Sequence, residues 1–152
     1  MNFAALLAAF DQSSNCTVTV PPEWAQGRAG YGGLVAALVL RGMRASLAEP
    51  RPGRSLAITF VGPVQPGIPV QVQSEVLREG RAVTQVLGRA VQNGETMCIV
   101  QGSFGTGRPS SVDVPAEPAP AAPAPDACQR TPFVEGVMPN FLRYFDTRWT
   151  FG

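Results

Sequence analysis

The residues able to carry chemistry are few, and the missing types narrow the field first. The chain has no histidine. Nucleophiles that need an imidazole base are therefore excluded, the Ser-His-Asp and Cys-His hydrolases among them, and so is His-ligated zinc. Cys16, Cys98 and Cys128 are odd in number and far apart. They suit neither a metal cluster nor a disulfide framework and read as two small strand hydrophobes and a linker thiol. Such usage fits a reducing cytoplasm. No metal or cofactor is expected. Twelve arginines and no lysine face eleven acidic residues, for a net charge of +1. A nucleic-acid partner would call for a clustered basic surplus.

Three zones must position whatever chemistry remains. Residues 1–107 alternate regular patterns with turn signals. Residues 109–132 hold seven Pro and six Ala, a composition that makes an extended, semi-rigid linker and no core. Residues 133–152 are apolar again, with Phe133, Val134, Val137, Met138, Phe141, Leu142, Tyr144, Phe145, Trp149 and Phe151. No membrane partner is expected. Phe3, Leu6, Leu7 and Phe10 have amphipathic-helix spacing, and the apolar run 34–40 is far shorter than the roughly 18 residues of a span.

The first zone predicts a short strand over 16–20, stopped by Pro21 and Pro22. Glycines at 27, 30, 32 and 33 then lead into a helix over 33–48, closed at Glu49-Pro50. Residues 34–40 leave that helix no polar side for two turns, so it must be surrounded by protein. Four strands follow. Leu56, Ile58 and Phe60 alternate with Ser55, Ala57 and Thr59. Ile68, Val70, Val72 and Val76 alternate with Gln71, Gln73 and Glu75. A turn at Glu79-Gly80 precedes a strand over 82–92, and Asn93-Gly94 marks a hairpin into 96–104. This β–α–β–β–β–β order predicts an α+β fold, one buried helix followed by an antiparallel meander.

A wholly apolar helix after Gly-Gly resembles the hotdog fold, a curved antiparallel sheet wrapped around one central helix. Residues 30–43, GYGGLVAALVLRGM, are similar to the helix opening the N-terminal hotdog of the thioesterase II family, the double-hotdog acyl-CoA thioesterases. Residues 55–104 resemble that family's next four strands. Leu77-Arg78-Glu79-Gly80-Arg81, Gln92-Asn93-Gly94 and Gly102-Ser103-Phe104 stand at matching places. The resemblance divides the chain into a hotdog at 1–107, a linker at 108–132, and at 133–152 either the start of a second hotdog or a C-terminal extension. The family carries two hotdogs per chain, so this chain is expected to be an N-terminal half.

The resemblance also implies a chemistry, hydrolysis of acyl-CoA to free acid and CoA without a cofactor. In hotdog thioesterases a helix N-terminus supplies N–H donors. Gly32 and Gly33 stand there, beside Tyr31, as expected substrate-binding residues; the alternative is that these glycines only permit tight helix entry. Family members position water with an Asp, a Thr or Ser, and a Gln, usually in the second hotdog. Thr59 and Gln101 occupy the pseudo-repeat positions of the Thr and Gln. Their blander reading is that of inward polar side chains satisfied by hydrogen bonds. The Asp has no counterpart, because residues 33–48 contain no carboxylate. A non-catalytic hotdog module that binds acyl-CoA or dimerises is therefore the competing expectation.

Arg28, Arg78, Arg81 and Arg108 would meet CoA phosphates or be solvated turn residues. The aromatic tail, with Trp24 and Tyr31, would line an acyl pocket or pack as core. The expected protein partner is a second hotdog or a homodimer mate, met through the strand near 96–104 or the tail at 141–151, because sheet edges seek pairing.

Overall fold

The computed structural model describes residues 1–150; Phe151 of the apolar tail lies outside the described residues. The chain begins with helix α1 (Phe3–Asp11), which Asn2 caps by accepting a hydrogen bond from the Ala5 N–H at 2.9 Å. Its predicted stripe turns Leu6 and Phe10 into the core and leaves Phe3 exposed. Strand β1 (Thr17–Thr19) follows. A 3-10 turn (Pro22–Trp24) buries Trp24, and the small hairpin β2 (Ala25–Gln26) and β3 (Ala29–Gly30) brings the chain to α2 (Gly32–Ala45). Leu34, Val35, Leu38, Val39, Gly42 and Met43 of α2 are buried. Ala36, Ala37 and Leu40 are only half-buried, so the helix is enclosed on most of its circumference and open on one strip.

Four long strands form the main sheet with β1. They are β4 (Gly53–Phe60), β5 (Pro69–Glu79), β6 (Val83–Gln92) and β7 (Glu95–Gly105), in the spatial order β1-β5-β6-β7-β4, all antiparallel. The fold is the α+β hotdog. Strands β5, β6 and β7 are the predicted meander. The first strand after the helix departs from it, since β4 crosses to the far side and pairs with β7 instead of β5. Alternation sets which side of a strand is apolar and leaves its neighbour open. The predicted hairpin turn is present, with Asn93 at φ 53° and Gly94 at φ 80°, the left-handed pair that a type I′ turn requires.

One face of the sheet grips α2. Val70 and Val72 of β5, Val86 and Ala90 of β6, and Cys98, Val100 and Phe104 of β7 join the α2 side chains in one core. Gly88 makes the close approach possible, because a Cβ there would stand 2.5 Å from Val39 and 2.7 Å from Met43. Glycine admits a helix at that distance and no other residue does. Beyond β7 the 109–124 stretch has no regular structure. The tail then forms a 3-10 turn (Pro125–Ala127), a second one (Asn140–Tyr144), and a two-stranded ribbon of β8 (Gln129–Arg130) with β9 (Arg148–Trp149). No helix among the described residues is long and apolar enough to cross a membrane.

Candidate active site at the head of the central helix

The geometry around Gly32 and Gly33 is built from several elements. Gln92 is buried at the end of β6 and fully used. Its Oε1 accepts from the Gln65 N–H at 2.8 Å, and its Nε2 donates to the carbonyls of Gln65 and Ile68, both at 3.1 Å. This clamp fixes the loop after β4. The same loop presents the Val64 carbonyl to the Gly30 N–H at 2.7 Å, and the Trp24 carbonyl takes the Tyr31 N–H at 2.8 Å. The glycine segment is thus held on both sides just before α2 begins.

At that start, the N–H groups of Leu34 and Val35 both donate to the Tyr31 carbonyl, at 3.0 and 3.2 Å. No side chain caps the helix. The N–H groups of Gly32 and Gly33 have no acceptor among the described residues. Two free donors at the positive end of a 14-residue helix suit a developing oxyanion. Two rings flank them. A Cβ on Gly32 would meet the Phe60 ring at 2.9 Å, and one on Gly33 would meet the Tyr31 ring at 2.6 Å. Both positions must therefore stay glycine for the rings to lie where they do. Tyr31, Gly32 and Gly33 form one surface.

Thr59 and Gln101 lie elsewhere. Cross-strand partners share a face, and β4 pairs Leu56 with Gly102, Ile58 with Val100 and Phe60 with Cys98. Those three residues point toward the helix side, so Thr59 and Gln101 point to the outer side. Thr59 pairs with Ile99 and Gln101 with Ala57, which makes the two diagonal neighbours there. Both are exposed, and neither side chain has a hydrogen-bond partner among the described residues. They are not the inward, satisfied polar groups of the blander reading.

Carboxylates are absent from the helix itself, yet one reaches it. Asp11 of α1 accepts from Arg41 Nε at 2.8 Å and Nη2 at 2.7 Å. That hydrogen bonding holds its carboxyl below the ordinary carboxylate range. Asp11 is thus spent as a counter-ion, on the exposed second half of α2 and away from the glycines. Asp146 is likewise held low by Arg148. Burial pushes the Cys98 thiol up, which makes it inert. Among the described residues no group of three Cys, Asp or Glu side chains could hold a metal.

The four arginines do not converge. Arg28 belongs to the β2–β3 turn and lines a hollow with Pro63, Gln65 and Pro66. Arg78 and Arg81 flank the β5–β6 turn at the other end of β6, about 30 Å away along the strand. All are exposed, as is Arg108.

Sequence reasoning missed the clamp by Gln92, whereas the expected core packing of the tail with Trp24 and Tyr31 is present. Trp24 stacks on Tyr144 at 4.5 Å, and Tyr31 stacks on Phe141 at 4.0 Å. The aromatic count hinted at a cluster, but nothing local said which rings meet. Burial, with Glu23 nearby, raises the Tyr144 phenol pKa.

Comparison with known proteins agrees with this architecture. The family described as the acyl-CoA thioesterase N-terminal domain matches residues 20–105. The chain belongs to that family. Among solved structures it is similar to a candidate thioesterase II from Thermobifida fusca, with 28% identity and a TM-score of 0.66, covering 76% of this chain and 43% of that one. A hot dog fold protein of unknown function from Alicyclobacillus acidocaldarius superposes with a TM-score of 0.71 at 21% identity, covering 84% and 47%. A candidate thioesterase from Novosphingobium aromaticivorans gives 0.67 at 24% identity, covering 84% and 51%. The chain thus spans about half the length of these three solved proteins. No curated protein sequence matches it.

Proposed function

We propose that this chain is the N-terminal half of an acyl-CoA thioesterase whose intact form hydrolyses acyl-CoA to free acid and CoA. The family match over residues 20–105 carries the reading. In the reaction, water oxygen bonds to the thioester carbonyl carbon, the C–S bond breaks, and the proton lost by water reaches the departing thiolate. The free N–H groups of Gly32 and Gly33 face the carbonyl oxygen as its charge grows. The base that positions water is supplied by a second hotdog, since α2 has no carboxylate and Thr59 and Gln101 sit on the outer face. The division into 1–107, 108–132 and 133–152 belongs to this proposal, as does a cytoplasmic setting for three unpaired cysteines.

The partner meets the β4 side. Strand β7 is paired on both flanks, so residues 96–104 offer no edge, and the tail is folded back on its own domain. One open edge is β4, whose Leu56, Ile58 and Phe60 remain 42%, 43% and 58% exposed on the helix side. Between β4 and α2 lies a hollow of 320 Å³ lined by Leu40, Arg44, Gly53, Arg54, Ser55 and Leu56. A second hotdog of the same chain, or a second copy, pairs with this edge and fills the hollow.

A second reading, a non-catalytic module, is favoured by the carboxylate-free helix. Release of CoA thiol from acyl-CoA substrates, measured for this chain and for a protein of its relatives' length, separates the two. Activity only in the longer protein is expected. Activity in neither supports the module. Activity of the 152-residue chain that vanishes in Gln101→Ala would overturn the assignment of the base to a second half.

A further inference from the structure

The rings that close the head of α2 come from both sides of the linker. Tyr31 lies over Gly33 so closely that a Cβ there would stand 2.6 Å from its ring and hydroxyl. Phe141 stacks on the Tyr31 ring, at 4.0 Å and nearly parallel at 5°. Phe145 sets its edge against both, at 5.8 Å from Tyr31 and 5.9 Å from Phe141. Phe141 and Tyr144 stand three residues apart on one 3-10 turn (Asn140–Tyr144), and 3-10 geometry puts such residues on the same side. The turn therefore seats two rings at once, Phe141 on Tyr31 and Tyr144 on Trp24, the latter at 4.5 Å and 9°. Phe141 is 8% exposed, although it follows a stretch that is exposed throughout residues 106–127. A segment that returns from an exposed linker to fill two ring-sized seats has a specific place to sit.

We propose that residues 140–145 form a strap that holds Tyr31 down on Gly33, with Phe141 as the positioning residue that decides how bulky an acyl group reaches the Gly32 and Gly33 amides. The inference rests on the reading of those amides as donors to the thioester. With the strap seated, swinging the Tyr31 ring away from Gly33 breaks its stack on Phe141. A short acyl group needs neither movement. A long one needs the ring to swing out and the strap to lift with it. Residues 140–145 lie beyond the linker, so acyl selectivity of the first domain is set by chain outside it.

The test uses two non-hydrolysable ketone analogues, an acetyl-sized and a dodecanoyl-sized S-(2-oxoalkyl)-CoA. They are titrated into the 152-residue chain while the Gly32 and Gly33 amide signals are followed by NMR. In Phe141→Ala and Phe141→Leu the long analogue is expected to bind about fivefold tighter or more, the scale of a lost aromatic stack, with the short analogue unchanged. In a Trp149→Phe background, emission from Trp24 shifts to the red as its seat loosens. Equal affinities in variant and parent for both analogues, or parallel weakening of both, would overturn the strap. If neither analogue moves the amides in any form, the thioester reading falls and the strap is judged alone. Loss in the variants of the ring-current shift that Tyr31 imposes on the Gly33 amide then upholds it, and an unchanged shift overturns it. Phe141→Leu keeps the apolar burial should Phe141→Ala fail to fold.

Discussion

Strands β6 and β4 belong to one sheet and meet opposite fates. Val86 and Ala90 of β6 are fully buried against α2, whereas Ile58 and Phe60 of β4, on the same side of the same sheet, stay 43% and 58% exposed. The helix packs mainly on β5, β6 and β7, and the outermost strand touches it at its head, where Phe60 lies against Gly32. An apolar face with so little cover of its own implies cover from elsewhere. Pattern alone states which side of a strand wants burial; only the position of the strand in the sheet states whether the domain can provide it.

Substitutions on the two sides should differ sharply. The largest effect belongs to the covered side: Leu38→Ala removes a fully buried helix side chain and should lower stability by about 3 kcal/mol in urea titration. Gly88→Ala pushes a methyl into Val39 and Met43 and should cost about 1–3 kcal/mol. On the open side, Ile58→Ala in the isolated chain should change stability by less than about 0.5 kcal/mol. Ile58→Asp should leave the fold intact and convert an associated species to monomer by light scattering. A cost for Ile58→Ala as large as that for Leu38→Ala would break the comparison.

The smallest effect concerns Asp11, which ties α1 to the exposed half of α2. Hydrogen bonding to Arg41 lowers its folded pKa below the ordinary 3.8. The pair's stabilisation is therefore present above that ordinary value and fades as pH falls through the lowered one. Both side chains are exposed, so the gain is slight and screened by salt. The thermal midpoint of Asp11→Asn should sit just below the parent's near neutral pH. The gap should close in about 1 M salt or in acid below the folded pKa. A gap that persists in acid would contradict the assigned pair.

Much of the fold was legible because its signals are local. The apolar run 34–40 could only be a helix inside protein, and Asn93-Gly94 could only be a tight hairpin. The outward face of Thr59 was legible as well, since it alternates with Ile58 and Phe60; Gln101 alternates with Val100 and Gly102 in the same way. The inward, hydrogen-bonded reading of these two ran against the parity of their own strands. The pairing of β4 with β7 was not legible, because parity leaves a strand's neighbour unspecified. The Gln92 clamp was hidden within a turn motif, where its side chain looked like ordinary hairpin polarity.

By itself the sequence determined the elements, the inward faces of β4 and β5, the glycine pair at the head of α2 and the absence of histidine or a helix carboxylate. These follow from backbone sterics, side-chain period and composition, which need no distant partner. The tertiary structure alone decided that Gly32 and Gly33 keep their amide donors free, that β4 is left as an open edge, and that Phe141 comes back across the linker to lie on Tyr31. Each of these joins residues far apart in the chain, and such contacts arise from packing rather than from local preference.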